Sequence, residues 1–455
     1  MEDEGGSISA YKIKSVELFT DSAGTQNLFA LGNTSGGSFG QILEKSGNVV
    51  TGTFATSTGG ASAAGTVLPT TLRGYKNQNK LYFMKTSGSN TIISSYDPAT
   101  DTLVETVGTI ADTAVTGIYP RPFRHPQDDI LYFAAGNTIA KLNGATFTAS
   151  AFVLPAGLDV TSFTDFGTFL AIACTPINQG EKSVVFLWGR DTSLVETEEV
   201  VDFGEGALMV LENVEGQLVG VSTSATSAGT AVDIDPRIIV RTYVGGQAEA
   251  QIEIRWEGSG TPTTLVKNLK AKHNDRLYFA AKQYIANKTV NQVWVAGFNK
   301  SGEFYVAPDR LVNNDTVLTG SVDGLDIVGD YMWAAFNDDG SLKRTNDAAA
   351  FTATSIYETI LFNEGDSDET KTLKGITATF EPLSADAQVV IKYRINHTTT
   401  WTTLLTATTD NAISAGQVAS VDFKELFIRL ESTGGAVITG FDYLAIPKGQ
   451  KKYAR

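Results

Sequence analysis

NLFALG (Asn27–Gly32), KLYFMK (Lys80–Lys85), ILYFAA (Ile130–Ala135), FLAIAC (Phe169–Cys174), QLVGVS (Gln217–Ser222), RLYFAA (Arg276–Ala281) and YMWAAF (Tyr331–Phe336) are seven versions of one apolar stretch. Aligned on Leu28, Leu81, Leu131, Leu170, Leu218, Leu277 and Met332, they recur at roughly 40 to 60 residues, the period of propeller blades. Most copies run through a polar turn into another strand. The turns carry Asp97-Pro98, Asn143-Gly144, Arg190-Asp191, Lys300-Ser301-Gly302 and Asn346-Asp347, residues that accept tight or left-handed geometry. Linking strands such as VTGIYPRPFRH (from Val115), VTSFTDFG (from Val160) and LVKNLKAKHN (from Leu265) bring each unit to about four strands. Short antiparallel units repeated in this way manage their edges by radial packing. The expected fold is all-β: a β-propeller of about seven four-stranded blades over residues 10–358, behind a flexible segment 1–9. Closure would pair the strand from Tyr11 with one near Thr352–Tyr357, and the Gly/Ser/Thr-rich run from Val221 reads as a long loop.

After Tyr357 the texture changes. An acidic linker is expected over 359–370, marked by NEGDSDET (Asn363–Thr370). Beyond it, apolar residues alternate at Ile376, Ala378 and Phe380, and again at Val389, Ile391, Tyr393 and Ile395, the period of a strand. A small β-sandwich over 371–446 follows, then a basic tail over 447–455.

Composition narrows the function. With 455 residues, 42% of them hydrophobic, the chain can bury more than one core. A net charge of −15 is unsuited to a nucleic-acid-binding surface. The N-terminus MEDEGGSISAYKIK lacks the apolar core of a secretory signal, so synthesis in a cytoplasm without a cleaved leader is expected. No window is apolar enough for a membrane helix, and no membrane insertion is expected.

Chemical signatures are sparse. The single cysteine, Cys174, lies in an apolar run and reads as core. His125, His273 and His397 each stand beside turn residues without zinc spacing. The glycines Gly32, Gly36, Gly37 and Gly40 fall in a turn and form no phosphate cradle. The acidic turns Asp97–Asp101 and Asn337–Ser341, and the cluster Glu364, Asp366, Asp368 and Glu369, lack the full calcium ligand series. No catalytic residue, cofactor or metal is assigned. The loop IYPRPFRHPQDD (Ile118–Asp129) combines prolines, forked donors and aromatic area, so Tyr119, Arg121, Phe123 and Arg124 are candidate interface residues. Lys451, Lys452 and Arg455 in KGQKKYAR are candidates for docking an acidic neighbour.

The segments FEPLS, AQVVIKYRIN, TTTW, FKELFIRLEST and AVITGFDYLAI resemble the terminal sandwich of tailed-bacteriophage virion proteins. A propeller followed by that module resembles the tail hub or nozzle proteins of short-tailed phages, although an N-terminal extension before the first blade is missing. The resemblance implies a non-enzymatic structural component of a phage tail, located in the virion. Its partners would be tail or connector proteins, in a ring-shaped homo-oligomer past which DNA slides without specific binding. The alternatives are a carbohydrate-binding adhesin or fibre protein using Trp188, Trp294 and Trp333, and a propeller glycoside hydrolase.

Overall fold

A computed structural model describes residues 2–3, 11–20, 25–34, 39–45, 54–56, 63–64, 66–67, 73–75, 80–178, 181–192, 197–224, 236–256, 265–285, 288–299, 302–311, 322–328, 331–336, 342–344, 355–359, 370–396 and 398–448. They form two compact units, Met1–Thr345 and Asn346–Arg455. The described residues hold strands and turns and no helix.

The first unit contains seven antiparallel sheets among the described residues, each with at least four strands. The fourth is representative: Leu158–Phe166, Phe169–Pro176, Lys182–Trp188 and Glu199–Glu205 follow in chain order. In every sheet the recurring apolar stretch is the strand after the first. That position explains its composition, because a strand with neighbours on both edges and packed sheets on both faces meets no water. Leu28, Leu81, Leu170, Leu218 and Leu277 are accordingly fully buried. The expected turns supply left-handed backbone where the chain reverses, at Asp101 (φ 51°), Gly144 (φ 57°), Arg190 (φ 68°) and Gly302 (φ 80°). The turn at Asn346-Asp347 lies outside the described residues.

Strand pairing at the two ends of the repeat differs from expectation. Tyr11–Thr20 opens the first sheet by pairing with Gln26–Thr34. It is Glu2–Asp3 that completes the seventh sheet, with Glu2 opposite Arg344 and Asp3 opposite Lys343. Ser355–Glu358 pairs instead with Leu426–Thr433 in the second unit.

The second unit has a four-stranded sheet, Ser355–Glu358, Leu426–Thr433, Gln388–Ile395 and Thr402–Ala407, and a three-stranded one, Ser414–Phe423, Lys371–Phe380 and Ile438–Pro447. Leu373, Ile376 and Phe380 from one meet Val389, Ile391, Leu426 and Ile428 from the other in a single core. The acidic run at 363–369 and the basic residues Lys451, Lys452 and Arg455 lie outside the described residues, as do His397 and Asn337–Ser341.

Candidate functional site

The first strand of a sheet differs in character from the second. Lys14, Ser15, Thr161, Ser162, Thr164, Glu212, Asp323 and Asp326 all sit on first strands and are buried. These strands lie beside one another in the order Leu158–Phe166, Ala207–Val214, Val266–His273, Val322–Val328 and Tyr11–Thr20. Each of the five carries a register shift against its second strand, between Val160 and Ser162, Leu208 and Val210, Val266 and Lys270, Val322 and Gly324, and Ile13 and Ser15. A bulge twists the strand and re-aims the extra residue. The residues skipped include Lys14, Thr161, Lys267 and Asp323, which thereby turn toward the adjacent first strands.

Charges buried in this way must be paired. Lys14 bonds Asp323, whose other oxygen lies 3.3 Å from Lys267. Burial by itself would raise the Asp323 pKa, but the two lysines outweigh it and hold the carboxyl below the usual range. Lys270 bonds Glu212 at 2.8 Å and donates to the carbonyls of Phe163 (2.6 Å) and Leu211 (2.5 Å), which uses all three of its protons. Thr164 Oγ1 donates to the second Glu212 oxygen at 3.0 Å.

The third sheet begins with only two residues, Phe123–Arg124, and the chain before it supplies what a longer strand would. Arg121 reaches across to bond Asp326 and to approach Glu17 at 3.6 Å through the same nitrogen. Asp326 also accepts from the Val16 amide at 2.7 Å. Asn268 donates to the Tyr119 carbonyl. Arg121, Ser162, Asn268, Lys270 and Leu325 line a small cavity with room for about one water. The cluster is balanced, with Lys14, Arg121, Lys267 and Lys270 against Glu17, Glu212, Asp323 and Asp326.

A carboxyl of opposite character, on the strand Leu158–Phe166, is tied to Thr116 just before that loop. Asp159, 1% exposed, accepts from the Thr116 amide and hydroxyl at 2.7 Å each, while its Oδ1 has no hydrogen-bond partner among the described residues. Burial pushes its pKa above the usual carboxylate range against those bonds, and Asp112 adds to the rise.

The structure relocates several expected residues. Tyr119 and Arg121, expected on a partner-facing loop, are buried because their segment packs against first strands; Phe123 and Arg124 are half-buried. His125, expected at an exposed turn, is fully buried, with Nε2 3.2 Å from the Phe169 carbonyl and 3.0 Å from Arg190. Burial lowers its pKa, and the Arg190 charge adds to that. Trp188, Trp294 and Trp333, which only the adhesin alternative would turn toward sugars, are at most 4% exposed and pack in cores, as their apolar strands favour. Asp97 and Asp101 are spent on their own turn, accepting from the Ala99 amide and the Tyr96 hydroxyl. Cys174 is buried, and burial pushes its thiol pKa up. Sequence reading missed Asp159, Glu212, Asp323 and Asp326; their one signal is a charged residue within an otherwise strand-forming run.

No family model and no curated protein matches the chain. Among solved structures it is similar to an exo-β-1,3-galactanase from Phanerochaete chrysosporium (9% identity, 94% of this chain and 98% of that one, TM-score 0.34). It is also similar to a GH43 glycoside hydrolase (12% identity, 98% and 100%, TM-score 0.31). A third is the β-propeller domain of the Trilobed protease from Pyrococcus furiosus (10% identity, 74% and 83%, TM-score 0.31). The expectation of a non-enzymatic phage tail component is corrected by this finding, since glycoside hydrolases stand among the similar structures. No residue role is carried over from them.

Proposed function

We propose that the first unit closes into a seven-bladed β-propeller and hydrolyses glycosidic bonds with carboxyl groups of its first strands. Closure is supported by Glu2–Asp3 in the seventh sheet and by Tyr11–Thr20 lying beside Val322–Val328.

The observation that carries the hydrolytic reading is the contrast between two kinds of carboxyl tied to one loop. Glu17, a quarter exposed, lies 3.6 Å from the Arg121 guanidinium and is the carboxyl that water can reach as a base. Asp159 is desolvated and suited to keep a proton for a leaving group. The cavity holds about one water, so the sugar would dock at its mouth.

The test is release of reducing sugar from a panel of aryl glycosides and oligosaccharides by the full chain. Turnover should fall by about a hundred-fold or more in both Glu17→Gln and Asp159→Asn, with circular dichroism unchanged. No turnover on any glycoside, or turnover indifferent to both substitutions, ends the hydrolytic reading.

A further inference from the structure

In the four-stranded sheet of the second unit, Val389, Ile391, Leu426, Ile428 and Leu430 face the core. Strand alternation therefore sends Lys392, Arg394, Phe427, Arg429 and Glu431 to the opposite face. Register sets Arg394 opposite Phe427 and Lys392 opposite Arg429. The Arg394 guanidinium lies 4.3 Å from the Phe427 ring centre and 4.9 Å from that of Trp401, which Arg429 approaches at 5.6 Å.

The cations on this face are not equally used. Arg429 is 2.9 Å from Glu431 and 3.2 Å from Glu358, and Lys392 is 2.8 Å from Glu431. Arg394 has two aromatic neighbours instead. A guanidinium covered by rings keeps its in-plane N–H fork for a ligand, and the group that fits a planar fork is a carboxylate. Three cations face two carboxylates here, so charge favours an anion. Half-buried Trp401 is flanked in the chain by the exposed hydroxyl residues Thr398, Thr399, Thr400, Thr402 and Thr403. An indole for the apolar face of a pyranose, hydroxyls for its hydroxyls and a fork for a carboxylate together describe a receptor for an acidic sugar.

We propose that this sheet face binds a uronate-bearing glycan, its ring against Trp401 and its carboxylate on Arg394. The site does not depend on the hydrolytic reading of the first unit.

Titration calorimetry with the full chain tests it, using an oligogalacturonate, its methyl ester and an aspartate-rich peptide. The oligogalacturonate should bind saturably and the ester about ten-fold more weakly or worse. Arg394→Lys, which keeps the charge and loses the fork, and Trp401→Phe should each cost about ten-fold or more, with near-UV circular dichroism retained. Glu17→Gln should leave the binding unchanged. Absence of saturable oligogalacturonate binding, equal affinity for the ester or the peptide, or indifference to both second-unit substitutions overturns the proposal.

Discussion

Lys14, Lys267 and Asp323 show how much a single bulged residue can carry. Asp323 is 7% exposed at its side chain and shared by two ammonium groups, so its ionised form is worth more in the folded chain than in the unfolded one. Its folded pKa lies below its unfolded value. The sign follows: the contribution is fully present above the unfolded carboxylate pKa of about 3.9 and is lost as pH falls through the lower, folded value. Urea midpoints between neutral and acid pH should therefore decline in the wild type, while Asp323→Asn starts lower and declines less steeply. Equal slopes would show that the triad does not govern acid stability. The residue itself was invisible beforehand, because VDGLDIV reads as an ordinary strand until the bulge between Val322 and Gly324 decides where Asp323 points.

At the scale of elements, the second strand of each sheet was the most legible feature. Seven apolar runs predicted seven repeated units, and the same runs occupy equivalent places in seven sheets. The closing element was not legible. Glu2–Asp3 is a two-residue edge strand and leaves no periodicity to read. Removal of residues 1–10 should free the amides of Leu342–Arg344, seen as faster deuterium uptake there by mass spectrometry, and should lower the first unit's melting temperature by about 2–4 °C. Unchanged uptake at Leu342–Arg344 would mean that the seventh sheet holds without its N-terminal strand.

The whole molecule is two units with separate cores. Two heat-absorption transitions are expected in calorimetry. Ile428 is fully buried in the second core, so Ile428→Ala should cost about 2–5 kcal/mol and lower only the smaller transition, by roughly 10 °C or more. Movement of both transitions together would show that the units melt as one. The chain's −15 charge is not mirrored in the buried first-strand cluster, which pairs four cations with four carboxylates.

Apolar period and turn chemistry by themselves determined the all-β class, the repeat and the change of texture that precedes Lys371, because burial of alternate or continuous apolar residues is a local property of the chain. Only tertiary structure decided that Arg121 meets Glu17 and Asp326, that Asp159 stands apart on Thr116, and that Arg394 lies between Phe427 and Trp401. The physical reason is separation: Arg121 and Asp326 are two hundred residues apart in the chain, and no periodicity links them. Charge pairing in a low-dielectric interior is set by which strands the repeat brings side by side, and by the bulges that aim their side chains.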